Sequence, residues 1–255
     1  NRSTISMIEI KNINKSFGDN NVLKNISFKF EKGKTNLIIG ESGSGKTTLL
    51  RILIGLHDID NGEVLYDGRD FTRLNTKDKR KLRQEIGVLF QKGALYDYMS
   101  VEENIMFPLT MFTNQSYEEK LQRVNDCLER VNLKNNNHLS VSELSGGMVK
   151  RVSIARAIVM QPKYLLCDEP NSGLDPKTAI IIDNLIQEIT LESNITTIVN
   201  THDMNSVMEI GQSIAYINNG EICWSGSKEE LIENNNKQLN DFVFASKLFK
   251  RLKRN

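Results

Sequence analysis

The nine residues GESGSGKTT, at positions 40–48, limit the fold of this chain more than any other stretch. They match the pattern GxxxxGK[ST] and lie between an apolar run, TNLIIG, and a helix-like run, KTTLLRILIGL. A strand, a glycine-rich loop and a helix in that order form the first half of a βα unit, whose loop N–H groups wrap a phosphate. The stretch therefore predicts an α/β fold with a phosphate-binding loop. The residues expected to bind are Gly40, Glu41, Ser42, Gly43, Ser44, Gly45, Lys46, Thr47 and Thr48.

Two side chains of this loop have predicted roles toward a bound nucleotide. Lys46 is expected to reach the β- and γ-phosphates, and the Thr47 hydroxyl is expected to ligate Mg²⁺. The alternative is a glycine-rich turn that only precedes a helix. The predicted strand before the loop and the predicted helix after it favour the phosphate site.

The rest of the chain alternates strand and helix patterns on both sides of a mostly helical segment. Residues 7–91 and 160–226 have the patterns of an α/β core with an antiparallel β subdomain. Residues 92–159 carry apolar residues at spacings of three and four, which predicts an inserted helical subdomain. Residues 227–255 are expected to form a helical tail. Residues 1–6 are expected to be vector-derived, because a methionine follows them.

A second candidate element is the acidic pair in YLLCDEP, at positions 164–170. An apolar strand that ends in Asp168 suits a carboxylate of the Mg²⁺ shell, acting through water, and Glu169 would orient or deprotonate an attacking water. An acidic pair after a strand also commonly begins a turn. Because this pair follows a P-loop in the same chain, the sequence favours a nucleotide hydrolase.

A third candidate element is ELSGGMVKR, at positions 143–151. Ser145, Gly146 and Gly147 are predicted to form a second anion-binding turn at the head of a helix, with a serine N-cap as the alternative reading. The chain then has two phosphate-binding turns but one complete Mg-nucleotide site. The second turn is therefore expected to meet a nucleotide held by another subunit.

Composition narrows the class of protein without naming a function. Thirty-three Lys and Arg against 32 Asp and Glu give a net charge of +1, so no basic surface indicates nucleic acid as a partner. The three cysteines are far apart and lack CxxC spacing, which favours reduced thiols over disulfides or zinc. No apolar stretch reaches the roughly 18 residues that a spanning helix needs, so the chain is not expected to cross a membrane by itself.

With these motifs in order, residues 8–225 resemble the ATP-binding cassette (ABC) ATPases. The resemblance implies a RecA-like P-loop core with a β subdomain and a helical subdomain, bound ATP and Mg²⁺, and ATP hydrolysis. It also implies an ATP-sandwich dimer with a second copy, in which the SGG turn of one subunit completes the site of the other. A dimer of transmembrane permease subunits would use the cycle.

The resemblance also assigns roles to five further residues. It implies a Q-loop residue that touches Mg²⁺ and water, a D-loop residue that couples the two sites, a switch histidine near the γ-phosphate, and an aromatic residue that stacks on adenine with a valine beside it. In this sequence these are Gln91, Asp175, His202, Phe17 and Val22.

Two stretches resemble one branch of that family in particular. FQKGALYDYMSVEENIMFPL (90–109) and LSGGM, with Met148 in place of the commoner glutamine, are similar to the ATPases of maintenance-of-lipid-asymmetry (Mla) type transporters. This implies phospholipid transport between the inner and outer membranes, with the chain at the cytoplasmic face of the inner membrane and a permease and an MCE-domain lipid-binding protein as partners. A small regulatory subunit is left open. The alternatives are a lipoprotein-release or macrolide-export type ATPase, a soluble ABC protein, and a cassette that does not hydrolyse ATP.

Overall fold

The computed structural model describes residues 7–234 and 236–244. Residues 1–6, expected to be vector-derived, and 245–255, the end of the predicted tail, lie outside the described residues. The chain divides into two compact units. Of the described residues, those up to 74 and those from 196 onward form the first unit, and residues 75–195 form the second unit. The subdomain boundaries predicted from the sequence stay a prediction.

The described residues form ten strands and nine helices. The strands are β1 Ile8–Phe17, β2 Asn20–Phe30, β3 Thr35–Ile39, β4 Asn61–Tyr66, β5 Arg69–Asp70, β6 Ile86–Leu89, β7 Tyr164–Asp168, β8 Thr196–Thr201, β9 Ser213–Asn218 and β10 Glu221–Gly226. The helices are α1 Lys46–Leu53, α2 Thr76–Arg83, α3 Val101–Phe112, α4 Tyr117–Arg130, α5 Gly146–Ile158, α6 Pro176–Glu192, α7 Met204–Ile210, α8 Lys228–Glu233 and α9 Lys237–Val243. A 3₁₀ turn lies at Val141–Glu143.

The first unit contains two sheets. One is antiparallel in the order β2-β1-β4-β5, and the alternation of buried and exposed residues in β1 puts its apolar side chains on one face. In the other, β3 lies between β8 and β9 and is parallel to both, and β10 closes a hairpin with β9. Every residue of β3 and β8 is buried, as expected for parallel strands in an α/β fold.

The second unit is built around α5. This helix packs against α3, α4, α6 and β6, and β6 pairs in parallel with β7. Most of its residues between Lys150 and Ile158 are buried, because helices cover it on several sides. The candidate functional loops of this unit lie at the N-terminus of α5 and after the two strands.

The main elements agree with the sequence-based expectations. The strand before the P-loop, the helix after it, the strand YLLCD and the helices between 92 and 159 are confirmed. Helix α2 was not predicted, because its sequence TKDKRKLR has one buried residue, Leu82, and so no apolar stripe. Within the described part of the chain, no helix is long and apolar enough to span a bilayer.

Candidate functional site

The P-loop of the first unit closes around the side chain of Lys46. Helix α1 begins at Lys46, and Gly45 at its N-cap has a φ of +108°. A Cβ at Gly45 would lie 2.7 Å from Cδ2 of Leu23 and 3.1 Å from the Val22 carbonyl oxygen, so only glycine fits here. The buried Lys46 ammonium donates hydrogen bonds of 2.8 and 2.9 Å to the carbonyls of Gly40 and Glu41. The loop is thus shaped by contacts that hold its cation at the helix N-terminus.

The side chains of this loop suit a phosphate and a magnesium ion. Ser44 is 7% exposed, and its hydroxyl has no hydrogen-bond partner within the described residues. Thr47, half-buried in the first turn of α1, follows the lysine. No group of three or more His, Cys, Asp or Glu in the described residues could hold a metal ion alone. Mg²⁺ bound with a nucleotide needs only one or two protein ligands besides phosphate oxygens, so this donor set fits it.

The switch-histidine candidate of the first unit lies beside the P-loop strand. Strands β3 and β8 are parallel, with Ile39 opposite Thr201, so the P-loop and His202 leave the sheet at the same edge. The Asn200 side chain, fully buried, donates a 2.9 Å hydrogen bond to the Lys46 carbonyl. The strand that leads to His202 is therefore tied to the first turn of α1.

Phe17, the candidate for adenine stacking, is 45% exposed at the end of β1. The His57 ring meets it edge to face with centroids 5.3 Å apart, and the Lys15 ammonium lies 5.2 Å from its centroid. Lys15 also pairs with Asp60 at 3.2 Å. An aromatic residue of the core would be buried, so the exposed Phe17 ring suits stacking on a base.

In the second unit, three candidate catalytic residues share one edge of a strand pair. Strands β6 and β7 are parallel with Leu89 opposite Cys167, which brings the Q-loop residue Gln91 and the pair Asp168 and Glu169 out at the same edge. Asp168 is 8% exposed, whereas Glu169 is half-buried and has a φ of +49°. A positive φ is uncommon in a non-glycine residue such as glutamate, and strained backbone of this kind is found at active sites.

Gln91 is held from both its main chain and its side chain. Its side-chain amide nitrogen, Nε2, donates a 3.2 Å hydrogen bond to the Ser172 hydroxyl. Its main-chain carbonyl accepts a hydrogen bond from the Lys150 ammonium. Lys150 is 4% exposed. Burial lowers the pKa of this ammonium, and the nearby Glu169 and Asp168 carboxylates act in the opposite direction.

The SGG turn of Ser145, Gly146 and Gly147, or signature turn, forms the N-terminus of α5. The Ser145 hydroxyl caps the helix by accepting a 3.3 Å hydrogen bond from the Met148 N–H, and Ser145 and Gly146 are exposed. The serine N-cap reading therefore holds, and it leaves the hydroxyl proton free to donate to an anion. An exposed helix start with glycines and a hydroxyl is also what anion binding requires.

The D-loop candidate Asp175 caps the next helix of the same unit. It accepts hydrogen bonds from the N–H and hydroxyl of Thr178, at 3.1 and 2.5 Å. These bonds lower the pKa of the Asp175 carboxyl. Asp175 is exposed at the N-terminus of α6 and is available to a second subunit.

The second unit also contains a groove of about 480 Å³ next to the Q-loop. Its wall combines aromatic side chains with two arginines, from α2, β6, the Q-loop, α3 and α5. These aromatic and arginine side chains are Arg83, Phe90, Tyr96, Phe107, Phe112 and Arg156.

Known proteins resemble this chain over most of its length. The sequence model of the ABC transporter family matches residues 23–172, which is more than half of the chain. The chain belongs to the ABC transporter family of ATP-binding proteins. It is 40% identical to the methionine import ATP-binding protein MetN of Clostridium acetobutylicum, over 94% of this chain and 75% of that protein.

Two further comparisons show how widely this ABC cassette is shared. The chain is 35% identical to the intermembrane phospholipid transport system ATP-binding protein MlaF of Haemophilus influenzae, over 93% of this chain and 90% of that protein. The solved dimer of the ATP-binding cassette MJ0796, in a post-hydrolysis state bound to ADP and Pi, has a TM-score of 0.79. It is 33% identical and covers 87% of this chain and 98% of its own.

These findings confirm the fold class and the chemistry expected from the sequence. The chain has the ABC nucleotide-binding fold, hydrolyses ATP, and binds ATP together with Mg²⁺. It is the ATP-binding subunit of an ABC transporter, a class whose ATP-binding subunits work as dimers with permeases. The roles of individual residues stay predictions.

Sequence reasoning missed several residues that shape the site. Lys150, Arg156 and Asn200 contact functional loops through side chains that stand in otherwise apolar elements. The signal that could have found Asn200 is a polar residue inside the apolar strand TTIVNT. A lysine in the buried helix α5 is a similar signal, because a buried ammonium requires partners.

Proposed function

We propose that this ATPase powers phospholipid transport between two membranes, acting as a dimer beneath a permease. In each cycle two copies close on two ATP molecules and reopen after hydrolysis. The observation that carries the lipid assignment is the Q-loop and signature sequence, FQKGALYDYM with LSGGM. The similarity to MlaF, which extends across 90% of that protein, supports the lipid assignment.

The P-loop and the acidic pair divide the chemical work. Lys46 and the loop N–H groups bind the β- and γ-phosphates, and the Ser44 hydroxyl is a further donor. Glu169 orients a water and accepts its proton as the water oxygen attacks the γ-phosphorus, and ADP leaves. His202 acts near the γ-phosphate. The proposed Mg²⁺ ligands are Thr47, Gln91 and, through water, Asp168, and a bound ion would supply positive charge to the phosphates.

The second phosphate-binding turn acts on the partner's nucleotide. Ser145 and the N–H groups of Gly146 and Gly147 donate to the γ-phosphate that the other copy holds, and Asp175 meets the other subunit. These bonds exist only while the γ-phosphate is in place, so ATP joins the two copies and hydrolysis releases them. Phe17 stacks on the adenine of the nucleotide in its own chain, with Val22 beside it.

The groove beside the Q-loop is the proposed docking site for the permease. It presents Phe107, Phe112 and Tyr96 around a cleft rimmed by Arg83 and Arg156. Aromatic residues and arginine are the side chains most enriched at protein interfaces. Through this contact the chain would work as a peripheral protein at the cytoplasmic face of the inner membrane, with an MCE-domain protein and a regulatory subunit as further partners.

Methionine import is the second candidate function. It is favoured by the 40% identity to MetN of Clostridium acetobutylicum. The two candidates share the ATP cycle and differ in the permease and cargo. They are therefore separated by identifying the partners.

The test is purification of the tagged Glu169→Gln variant from detergent-solubilised membranes in ATP, followed by mass spectrometry of proteins and lipids. Phospholipid transport predicts a multi-span permease, an MCE-domain protein and bound phospholipid. A methionine-type or lipoprotein-release permease without an MCE-domain protein would refute the lipid assignment.

A pair of surface variants tests the docking groove in the same purification. Phe112→Asp places a charge on an exposed aromatic of the groove, and the permease should be lost. Leu191→Asp changes an exposed apolar residue of α6 that is not part of the groove, and the permease should be retained. Equal recovery with both variants would show that the permease binds elsewhere.

A further inference from the structure

The Q-loop main chain is held by long side chains of the signature helix. The Lys150 ammonium donates to the carbonyl of Gln91. The Arg156 guanidinium donates 2.8 Å hydrogen bonds to the carbonyls of Gly93 and Ala94. Three carbonyls within residues 91–94 thus accept hydrogen bonds from side chains of α5. We call this set of bonds the loop clasp.

Lys150 is the buried member of the loop clasp. It is 4% exposed, and removing an ammonium from water costs several kcal/mol unless hydrogen bonds and nearby charges compensate. The carbonyl of Gln91 supplies the hydrogen bond, and the carboxylates of Asp168 and Glu169 supply the charge. The burial of this ammonium against a carbonyl therefore indicates a directed contact.

The position of Lys150 on α5 connects two motifs. It lies about one turn after Ser145, where the helix begins at the signature turn. Because a helix turn is stiff, a displacement of the signature turn would be passed through Lys150 to the carbonyl of Gln91. The Gln91 side chain in turn contacts Ser172, in the loop that follows Glu169.

We propose that Lys150 is a positioning residue for ATP hydrolysis, which fixes the main chain of Gln91 and links its placement to the signature turn of the same subunit. The proposal rests on the proposed roles of Gln91 and Ser145. Lys150 does not bind ATP itself, so its loss should change the hydrolysis step more than nucleotide affinity.

The first readout uses no nucleotide. The Gly93 amide donates a 2.8 Å hydrogen bond to the Phe90 carbonyl inside the clasped loop, so its hydrogen exchange reports on the loop's order. In Lys150→Met we expect this amide to exchange about tenfold faster or more, since loop opening becomes easier. Lys92→Met is the matched control, because Lys92 is an exposed lysine next to Gln91, and it should leave the exchange at the parental rate.

The second readout is the kinetic split. Lys150→Met should lower kcat about tenfold or more while KM for ATP changes less than about twofold. Lys150→Arg restores a long cationic donor and should recover most of kcat and slow the Gly93 exchange. If Lys150→Met does not fold, both readouts are taken on Lys150→Gln, whose side chain is one atom shorter than lysine, with the same criteria.

Two results would overturn the proposal. One is parental exchange at Gly93 in Lys150→Met, and the other is an arginine variant as impaired as the methionine variant. If the parental protein had no ATPase activity, the proposed roles of Gln91 and Ser145 would be refuted instead. Hydrogen exchange of the Gly93 amide without nucleotide would still report whether Lys150 orders the loop.

Discussion

Gly147 of the signature turn lies directly against Thr178, in the first turn of α6. A Cβ at position 147 would be 2.7 Å from Cγ2 of Thr178, which is too close for two carbon atoms that are not bonded. Thr178 cannot easily move away, because its N–H and hydroxyl are both bonded to Asp175 and its branched side chain is stiff. The signature turn and the D-loop candidate are therefore packed together through one methyl group.

Gly147→Ala should consequently displace the signature turn. We expect a loss of stability of about 1–3 kcal/mol, typical of overpacking, and a fall in ATPase activity of about tenfold or more. Thermal unfolding and steady-state ATPase assays measure the two effects. Parental stability together with parental activity would mean that the turn accommodates the added methyl group.

Thr178→Ser should rescue the alanine variant. Serine keeps the hydroxyl that bonds Asp175 and removes the Cγ2 methyl that the new Cβ would strike. In a double-mutant cycle, Gly147→Ala should lower the free energy of unfolding by at least about 1 kcal/mol less in the Thr178→Ser background than in the parental protein. Additive effects of the two substitutions would contradict the contact.

Met148 should matter little to hydrolysis, although the position is often glutamine in the family. The proposed phosphate contacts come from the Ser145 hydroxyl and from main-chain N–H groups, and the half-buried Met148 side chain is not among them. Met148→Gln should therefore keep most ATPase activity, whereas Ser145→Arg should remove it by blocking the partner's γ-phosphate. A similar loss in both variants, measured at saturating ATP, would refute this role of the turn.

Cys127 should be slow to react in the folded protein. Burial raises the pKa of its thiol to about 11, so at pH 8 far less thiolate is present than in the unfolded chain. Iodoacetamide at pH 8 should label Cys127 about a hundredfold more slowly in native than in denaturant-unfolded protein, by peptide mass spectrometry. Labelling should accelerate as the pH rises toward 11. Equal rates in the two states at pH 8 would contradict the burial.

The P-loop and its flanking elements could be predicted because their causes are local. Gly45 must accept a positive φ and a close neighbour, and Lys46 begins the helix, so the motif and its structure coincide in nine residues. The helices between 92 and 159 were predictable from apolar spacing. Helix α2 was not, because its start depends on the Asn75 cap and its sequence has no apolar stripe.

The contacts that hold the functional loops could not be predicted, because they join residues distant in sequence. Lys150 and Gln91 are 59 residues apart, and Asn200 and Lys46 are 154 apart. A lysine or asparagine inside an apolar element signals that a partner is needed, but the sequence does not identify that partner. The parallel register of β3 and β8 brings Asn200 close to the start of α1, and the packing of α5 against β6 brings Lys150 close to Gln91. Both depend on the fold of a whole unit.

ATP-dependent dimerisation of the Glu169→Gln variant tests the central claim most directly. Without the carboxylate the γ-phosphate persists, and the signature turns stay bound to the nucleotide of the opposite copy. In ATP, light scattering should give the mass of two chains. In ADP, or in the double variant that also carries Lys46→Ala, it should give the mass of one chain. A Glu169→Gln protein that stays monomeric in saturating ATP, or that hydrolyses ATP at the parental rate, would contradict the account.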